Sequence, residues 1–332
     1  MNSTYRFAAI FAAAALLAGA PAQASWLHAT SVGPIDWDGD QQQTEKFSKT
    51  VPLPKGGSLD LSNISGDIVI TGGAGDQVVI DAVKRGKTAE DLKAVQVEVT
   101  ATATRVEVKV RYPQEKRNIN ASVDFIVTVP RGAIVNVNSV SGDIKVTTVD
   151  GALRVNTVSG DVTVNSAAQL EAAKTVSGDV VVDSAGSTGD ITAASVSGSV
   201  TLKGVKARGF DLNSVSGDVT LTDVTCDRVK ANSVSGDMNF AGPLARGGRY
   251  IFQSHSGDVT LTTAATTGFE LTANSFSGDI RSDYELTVKF GGEASGSSGR
   301  GPRRQAIRGT FGDGSAVIEL NSFSGDIRIV KK

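Results

Sequence analysis

The chain of 332 residues carries 33 Lys and Arg against 35 Asp and Glu, a formal net charge of −2 at pH 7, so its overall charge gives no reason to expect nucleic acid as a partner. The single Cys226 excludes an intramolecular disulfide framework, and His28 and His255, the only histidines, lie too far apart in sequence to read as a zinc motif. With 37 glycines and aromatics at 5%, the composition favours many short strands joined by tight turns.

Residues 1–24 read as an export leader. Arg6 supplies a short positive region, residues 7–18 an apolar stretch too short to span a bilayer comfortably, and Ala22-Gln23-Ala24 a small-x-small cleavage site before Ser25. Removing this leader, whose only charged side chain is Arg6, takes the formal charge to −3. No cysteine lies at the cleavage point and no long apolar run comes later. The mature chain is therefore expected without a lipid anchor or transmembrane segment, in the periplasm or at the cell surface. Residues 25–46, with Trp26, His28 and Trp37, show little periodicity and are expected to form an extended or disordered arm.

Residues 47–140 contain four predicted strands, over 77–82, 95–100, 106–110 and 122–129. The polar excursion 84–92 is expected to hold one helical turn, and 113–118 another turn region. This part is read as the irregular amino-terminal end of a solenoid. From Ser141 the chain becomes periodic. Ser-Gly-Asp, first present at Ser65, begins at Ser141, Ser159, Ser177, Ser216, Ser235, Ser256, Ser277 and Ser324, with the variant Ser197-Gly198-Ser199. The steps from Ser141 to Ser277 are 18, 18, 20, 19, 19, 21 and 21 residues.

Within 210–224, Phe210 and Leu212 alternate with polar residues before the motif, as do Val219 and Leu221 after it. Two half-buried strands thus flank a corner, where Gly permits the bend and Asp or Ser bonds its own turn. The same register recurs over 152–164 and 269–281. Equivalent residues one coil apart are expected about 4.8 Å apart in parallel sheets. The repeat length leaves open two strands per coil or three. The fold class is all-β: a parallel β-helix (β-solenoid) with coils of about 18–21 residues, expected to wind right-handed. Its regular part covers 141–283, and 284–332 holds an excursion followed by a carboxyl-terminal coil. In that excursion 284–290 alternates like an edge strand, 291–301 is a loop rich in Gly and Ser, and 316–320 resumes the coil pattern.

Several residue sets are candidates for chemistry. Asn138, Asn156, Asn213, Asn232, Asn274 and Asn321 each lie three residues before a motif serine and are expected to stack as an amide ladder inside or beside the corner. Asp67, Asp143, Asp161, Asp179, Asp218, Asp237, Asp258, Asp279 and Asp326 form an acidic row, broken by Ser199. Carboxylates 4.8 Å apart repel by roughly 1 kcal/mol in water and about 3.5 kcal/mol at an effective dielectric near 20. The row is therefore expected to face solvent with turn N–H groups compensating it. Corner capping is favoured over calcium bridging, for which no calcium-loop pattern is present, and over a partner surface.

Cys226 reads as a small buried hydrophobe, and His255, in a position usually held by Val or Phe, as core or corner packing. Asp183, Asp190, Asp223, Asp227 and Glu270 could supply carboxylates to a polysaccharide lyase or hydrolase, and Lys174, Lys203, Lys206, Arg208 and Arg228 bases. None of them clusters in sequence, so no catalytic, cofactor-binding or metal residue is assigned. Arg300, Arg303, Arg304 and Arg308 are the densest basic patch and read as a solvated loop, or as a contact for an anionic polymer, lipid headgroup or protein.

The opening Lys49-Thr50-Val51-Pro52-Leu53-Pro54-Lys55-Gly56-Gly57, residues 59–70 with Ser65-Gly66-Asp67, residues 123–132, the repeats and the closing Gly309-Thr310-Phe311-Gly312-Asp313-Gly314 together resemble the bacterial DUF4097 family of adhesin-like β-strand-repeat proteins. The resemblance covers roughly 47–330. It implies a parallel β-helix without an assigned reaction, and supplies no catalytic or binding set to place on these positions. The dense repeat beside no compact chemical constellation gives the functional expectation: a non-catalytic exported scaffold for adhesion or envelope organisation. Its partner is expected to be an envelope protein, a glycan or an anionic polymer. The alternative is a polysaccharide-active lyase or hydrolase on a β-helix.

Overall fold

The computed structural model describes residues 43–113, 119–287 and 305–332. The expected leader, the arm up to residue 42 with Trp26, His28 and Trp37, the turn at 114–118, residues 288–290, the loop 291–301, and Arg300, Arg303 and Arg304 lie outside the described residues.

Alternation of apolar and polar side chains with period two makes strands, and here the strands gather into two sheets of 13 each among the described residues. Every regular coil gives one strand to each sheet. The first sheet takes Ile144–Thr147, Val162–Asn165, Val180–Asp183, Val200–Lys203 and Val219–Thr222. The second takes Ala152–Asn156, Gln169–Lys174, Asp190–Ser197, Gly209–Ser216 and Arg228–Ser235. The question left open by repeat length is thereby answered: the molecule is a two-sheet solenoid with parallel ladders.

In-register stacking puts like on like inside. Val162 pairs with Ile144 and Val180, and Val164 with Val146 and Val182, all buried between the sheets. Removing such a valine from water contributes on the order of 1.5 kcal/mol. The second bend of each coil is held by Thr148, Ser166, Ser184 and Asp223 in the left-handed region, with φ between 53° and 58°, followed by the buried Val149, Ala167, Ala185 and Val224. Cys226 is buried as expected, and burial, reinforced by the neighbouring Asp227 charge, pushes its thiol up to about 12.

The amino-terminal part departs from this scheme. Gln43–Pro52 runs antiparallel to Gln77–Gly86, which runs antiparallel to Ala121–Pro130; Gln96–Ala101 is antiparallel to Arg105–Arg111. The helical turn expected over 84–92 is instead Ala89–Ala94, capped by the Thr88 hydroxyl, which accepts from the Asp91 N–H at 3.1 Å. Residues 84–86 continue the preceding strand, because burial alternates through Lys84 and Gly86, and Lys84 reaches Glu45 at 3.0 Å.

Sequence order and spatial order also part at both ends. Ser58–Ser62 lies between Arg105–Arg111 and Ile134–Asn138. The last coil does not follow the Ser277 coil but enters beneath it. Ala316–Ser324 sits between Arg249–Ser256 and Phe269–Ser277, and Ile327–Lys331 between Val259–Thr263 and Ile280–Ser282. The intervening Gln305–Phe311 turns back antiparallel along the outer side of Phe269–Ser277, and Phe269, Tyr284 and Phe311 pack with ring centroids 4.7–5.4 Å apart.

Two outcomes are expected from this arrangement. Gly160 has φ 131°, and a Cβ there would fall under 3.0 Å from the Gly142 carbonyl oxygen. Gly160→Ala should destabilise by at least about 2 kcal/mol in urea titration. Gly132→Ala, with open space around the added carbon, should stay within about 0.5 kcal/mol of the parent. Deleting residues 316–332 should abolish hydrogen-exchange protection over Phe269–Ser277 while the strands from Ile144–Thr147 to Val219–Thr222 keep theirs.

Candidate functional site: the Ser-Gly-Asp corner

The repeat Asn-Ser-Val-Ser-Gly-Asp gives each of its letters a separate place. Glycine is the fixed point. At every motif its φ lies between 113° and 158°, and a Cβ would meet the carbonyl of the glycine one coil below, or of Val123 below Gly66, at under 3.0 Å. Only glycine allows coils to approach this closely. Two residues before each motif serine the side chain turns inward, and several of these reach the carbonyl of a motif glycine. Thr175 donates to Gly160 O at 3.0 Å, Ser195 to Gly178 O at 2.8 Å and Ser275 to Gly325 O at 3.0 Å. Ser233 and Ser254 in this column leave their buried hydroxyls without a partner.

The aspartates cap the corner, but not in their own turn. Each carboxylate but that of Asp279, which ends the ladder, accepts the backbone N–H of the corresponding residue in the next coil: Asp67 from Asp143, Asp143 from Asp161, Asp161 from Asp179, and Asp179 from Ser199, at 2.7–3.0 Å. The series resumes with Asp218 to Asp237, Asp237 to Asp258, Asp258 to Asp326 and Asp326 to Asp279, at 2.8–2.9 Å. The cross-coil partner is nearer because the flattened glycine stacks the corners in register. Ser199 ends one run of the ladder and Asp218 starts the next.

Charge is distributed unevenly along this row. Arg328 pairs with Asp258 and Asp326, and Arg281 with Asp279. Among the described residues no basic side chain forms an ion pair with Asp67, Asp143, Asp161, Asp179, Asp218 or Asp237. One oxygen of each is engaged in the ladder and the other is left to solvent. The Asp326 carboxyl is held below the usual range chiefly by the Asp279 N–H it accepts; burial opposes this, and the Arg328 and Arg281 charges add smaller lowering effects.

Beside the acidic row runs a second column that the sequence reading missed. Ile64, Val140, Val158, Val176, Val196, Val215, Val234, Phe323 and Phe276 are each 37–49% exposed, on successive coils. His255 completes the column, stacked on Phe323 at 4.9 Å, and Phe323 on Phe276 at 4.8 Å, with planes 7–8° from parallel. His255 is thus a corner residue and not a core one. Parity held the signal: 210, 212 and 214 face inward, so 215 faces out. The asparagines flank this column on the outer side of the sheet, where Asn156 donates to Asn138 at 3.2 Å, Asn232 to Asn213 at 2.9 Å and Asn274 to Asn321 at 2.9 Å. Lys174, Ala194 and Gln253 interrupt that ladder.

The carboxylates and bases considered for catalysis are not assembled into one centre. Asp183 accepts from the Ser184 hydroxyl, Asp190 is held between Arg208 and Arg228, and Asp223 lies 3.9 Å from Lys332. Asp227 directly precedes the strand Arg228–Ser235, while Glu270 stands several coils away beside Val317. Lys174 and Lys203 lie in different sheets, Lys206 forms an isolated bridge with Gly186 and Thr225, and Arg308 lies opposite Thr272 on the outermost strand. Among the described residues no group of three or more His, Cys, Asp or Glu side chains is placed to hold a metal ion. No helix among them is long and apolar enough to cross a membrane.

The family model Toastrack DUF4097 matches residues 58–330, the whole stack from its first motif to its last. The chain belongs to the DUF4097 family. Two solved structures described as putative adhesins resemble it. The one from Parabacteroides distasonis ATCC 8503 is 12% identical, covering 86% of this chain and 97% of its own, with a TM-score of 0.45. The one from Bacteroides fragilis NCTC 9343 has the same identity and coverage and a TM-score of 0.42. No curated protein matches the sequence.

A group whose folded pKa is depressed contributes stability above its unfolded pKa and loses it as pH falls through the folded value. Below about pH 4 the DUF4097 stack should therefore lose stability as Asp326 protonates. Asp326→Asn, which keeps an oxygen acceptor for Asp279 N–H, should flatten that acid limb in thermal melts taken between about pH 2 and 5.

Proposed function

We propose that this DUF4097 protein is an exported, non-catalytic binding scaffold, adhesin-like or envelope-organising, acting in the periplasm or at the cell surface. The observation that carries this reading is the corner itself. Coil after coil repeats an outward apolar side chain and a carboxylate, an extended contact surface, while the groups suited to acid–base chemistry are scattered and several are tied up in ion pairs. Export rests on the leader-like residues 1–24. A right-handed winding, expected for parallel strands joined by crossovers, belongs to the same reading. Envelope proteins and glycans are its partner classes at this corner, and an anionic polymer would instead meet the basic Arg300, Arg303, Arg304 and Arg308 of the sequence.

Cell fractionation combined with protease treatment of intact cells should find the protein in the periplasm or on the surface. An array of envelope glycans, anionic polymers and envelope proteins, probed with the purified protein, should return saturable binding. Turnover of a polysaccharide, abolished by a single carboxylate substitution and accompanied by no binding partner, would replace this reading with the lyase or hydrolase.

A further inference from the structure

The stripe from Ile64 to Val234 and the unpaired aspartates from Asp67 to Asp237 form one strip along one edge of the solenoid. We infer that this strip is the docking surface for a basic amphipathic helix presented by a partner protein. The inference rests on the scaffold reading and gives that scaffold a partner chemistry.

Three features select this occupant. The first is that main-chain pairing is closed off. Ser141 N–H already donates to Ile64 O at 2.9 Å, Gly142 N–H to Ser159 O at 2.9 Å, and Ser159 N–H to Val140 O at 2.8 Å, so an added β-strand finds no free backbone row here. Contact must be made by side chains. The second is spacing. The strip repeats about every 4.8 Å, whereas same-face residues of a strand are about 6.6–6.8 Å apart. A helix returns its apolar face every turn, about 5.4 Å, through i, i+3 and i+4 positions, which is closer to the strip's repeat. Six steps from Ile64 to Val234 span roughly 29 Å, the length of a helix of about 19 residues.

Charge is the third. Six carboxylates without an ion-pair partner, each three residues beyond its stripe residue, run parallel to the apolar line, so lysines or arginines on one flank of the helix would meet them. The same charge disfavours two other occupants. A second copy laid edge to edge would oppose acid to acid, and an anionic membrane surface would be repelled. Beyond Val234 the column becomes aromatic and its aspartates are paired to Arg281 and Arg328, so the helix site ends there.

The test titrates the purified protein into a fluorescent 20-residue Lys/Leu amphipathic peptide, with Glu/Leu and Lys/Ser versions as comparisons. Only the Lys/Leu peptide should bind saturably, and its affinity should fall as salt rises. Asp143→Asn/Asp161→Asn/Asp179→Asn keeps the ladder acceptors and removes three charges; Val158→Ser/Val176→Ser/Val196→Ser removes apolar contact. Each should weaken binding at least about tenfold, and Ile126→Ser/Val181→Ser, on the outer face of the other sheet, should leave it unchanged. Should a variant not fold, carbodiimide labelling of the unsubstituted protein reads the same surface: bound peptide should protect Asp67 to Asp237 and leave Asp183 and Asp227 labelled. Absence of Lys/Leu binding, equal binding by all folded variants, protection elsewhere, preferential binding of anionic vesicles, or a dimer lost in the valine variant each overturns the inference. If the envelope array returns a partner while the Lys/Leu peptide fails, the helix site falls and the scaffold reading stands. If the array is empty and a polysaccharide is cleaved, the scaffold reading itself falls.

Discussion

At the Ser-Gly-Asp corner the carbonyl of one glycine occupies the space where the glycine of the next coil would carry a side chain. This approach fixes the vertical register of the whole stack, because a slip of one residue would drive a Cβ into backbone. Once the register is fixed, the other columns follow. Aspartate oxygens face the N–H groups of the next coil, inward hydroxyls reach glycine carbonyls, amides stack on the outer face, and valines fill the interior in line. A neutral acceptor would serve the same N–H. The carboxylate adds charge, and with it a repulsion between coils that the hydrogen bond and solvent must offset. The corner therefore combines an obligatory steric element with a charged one that the fold does not strictly need.

The two ends solve the exposed-edge problem in different ways. The amino-terminal end covers the parallel stack with antiparallel strands, and the outermost, Gln43–Pro52, is mostly exposed and carries Glu45, Lys46 and Lys49. The carboxyl-terminal end uses aromatic rings and the antiparallel Gln305–Phe311. There the acidic row is also neutralised by Arg281 and Arg328, so the electrostatic character of the corner changes along the molecule from open carboxylates to closed ion pairs.

Much of this was legible before any coordinates. Spacing of 18 to 21 residues, alternation around each motif, and the glycine in the bend were enough for a parallel stack, and an isolated cysteine in an apolar register was enough for burial. The amide ladder was legible too, although only where asparagines fall on adjacent coils. The direction of the aspartate bond was hidden, since one coil read alone offers only its own turn, whereas the true donor is 18 to 21 residues away, or farther at the ends. The apolar column was overlooked for a different reason. A valine beside a motif serine reads as core until its parity is counted from Phe210 and Leu212. Ion pairing of Arg328 across coils was also beyond reach, because it depends on where the last coil enters the stack.

That entry point makes the order of synthesis differ from the order of assembly. The Ser277 coil is made before the Ser324 coil, yet the later one ends up between it and the Ser256 coil. All three carry the same corner, so the Ser277 coil can meet the Ser256 coil early, in a register that satisfies glycine and aspartate alike. From that premature pairing the native order is reached only by reopening the ladder and admitting the final residues as a wedge. The repetition that makes the stack easy to extend thus offers a second possible pairing at its carboxyl end, which the insertion of the last residues between the two earlier coils excludes.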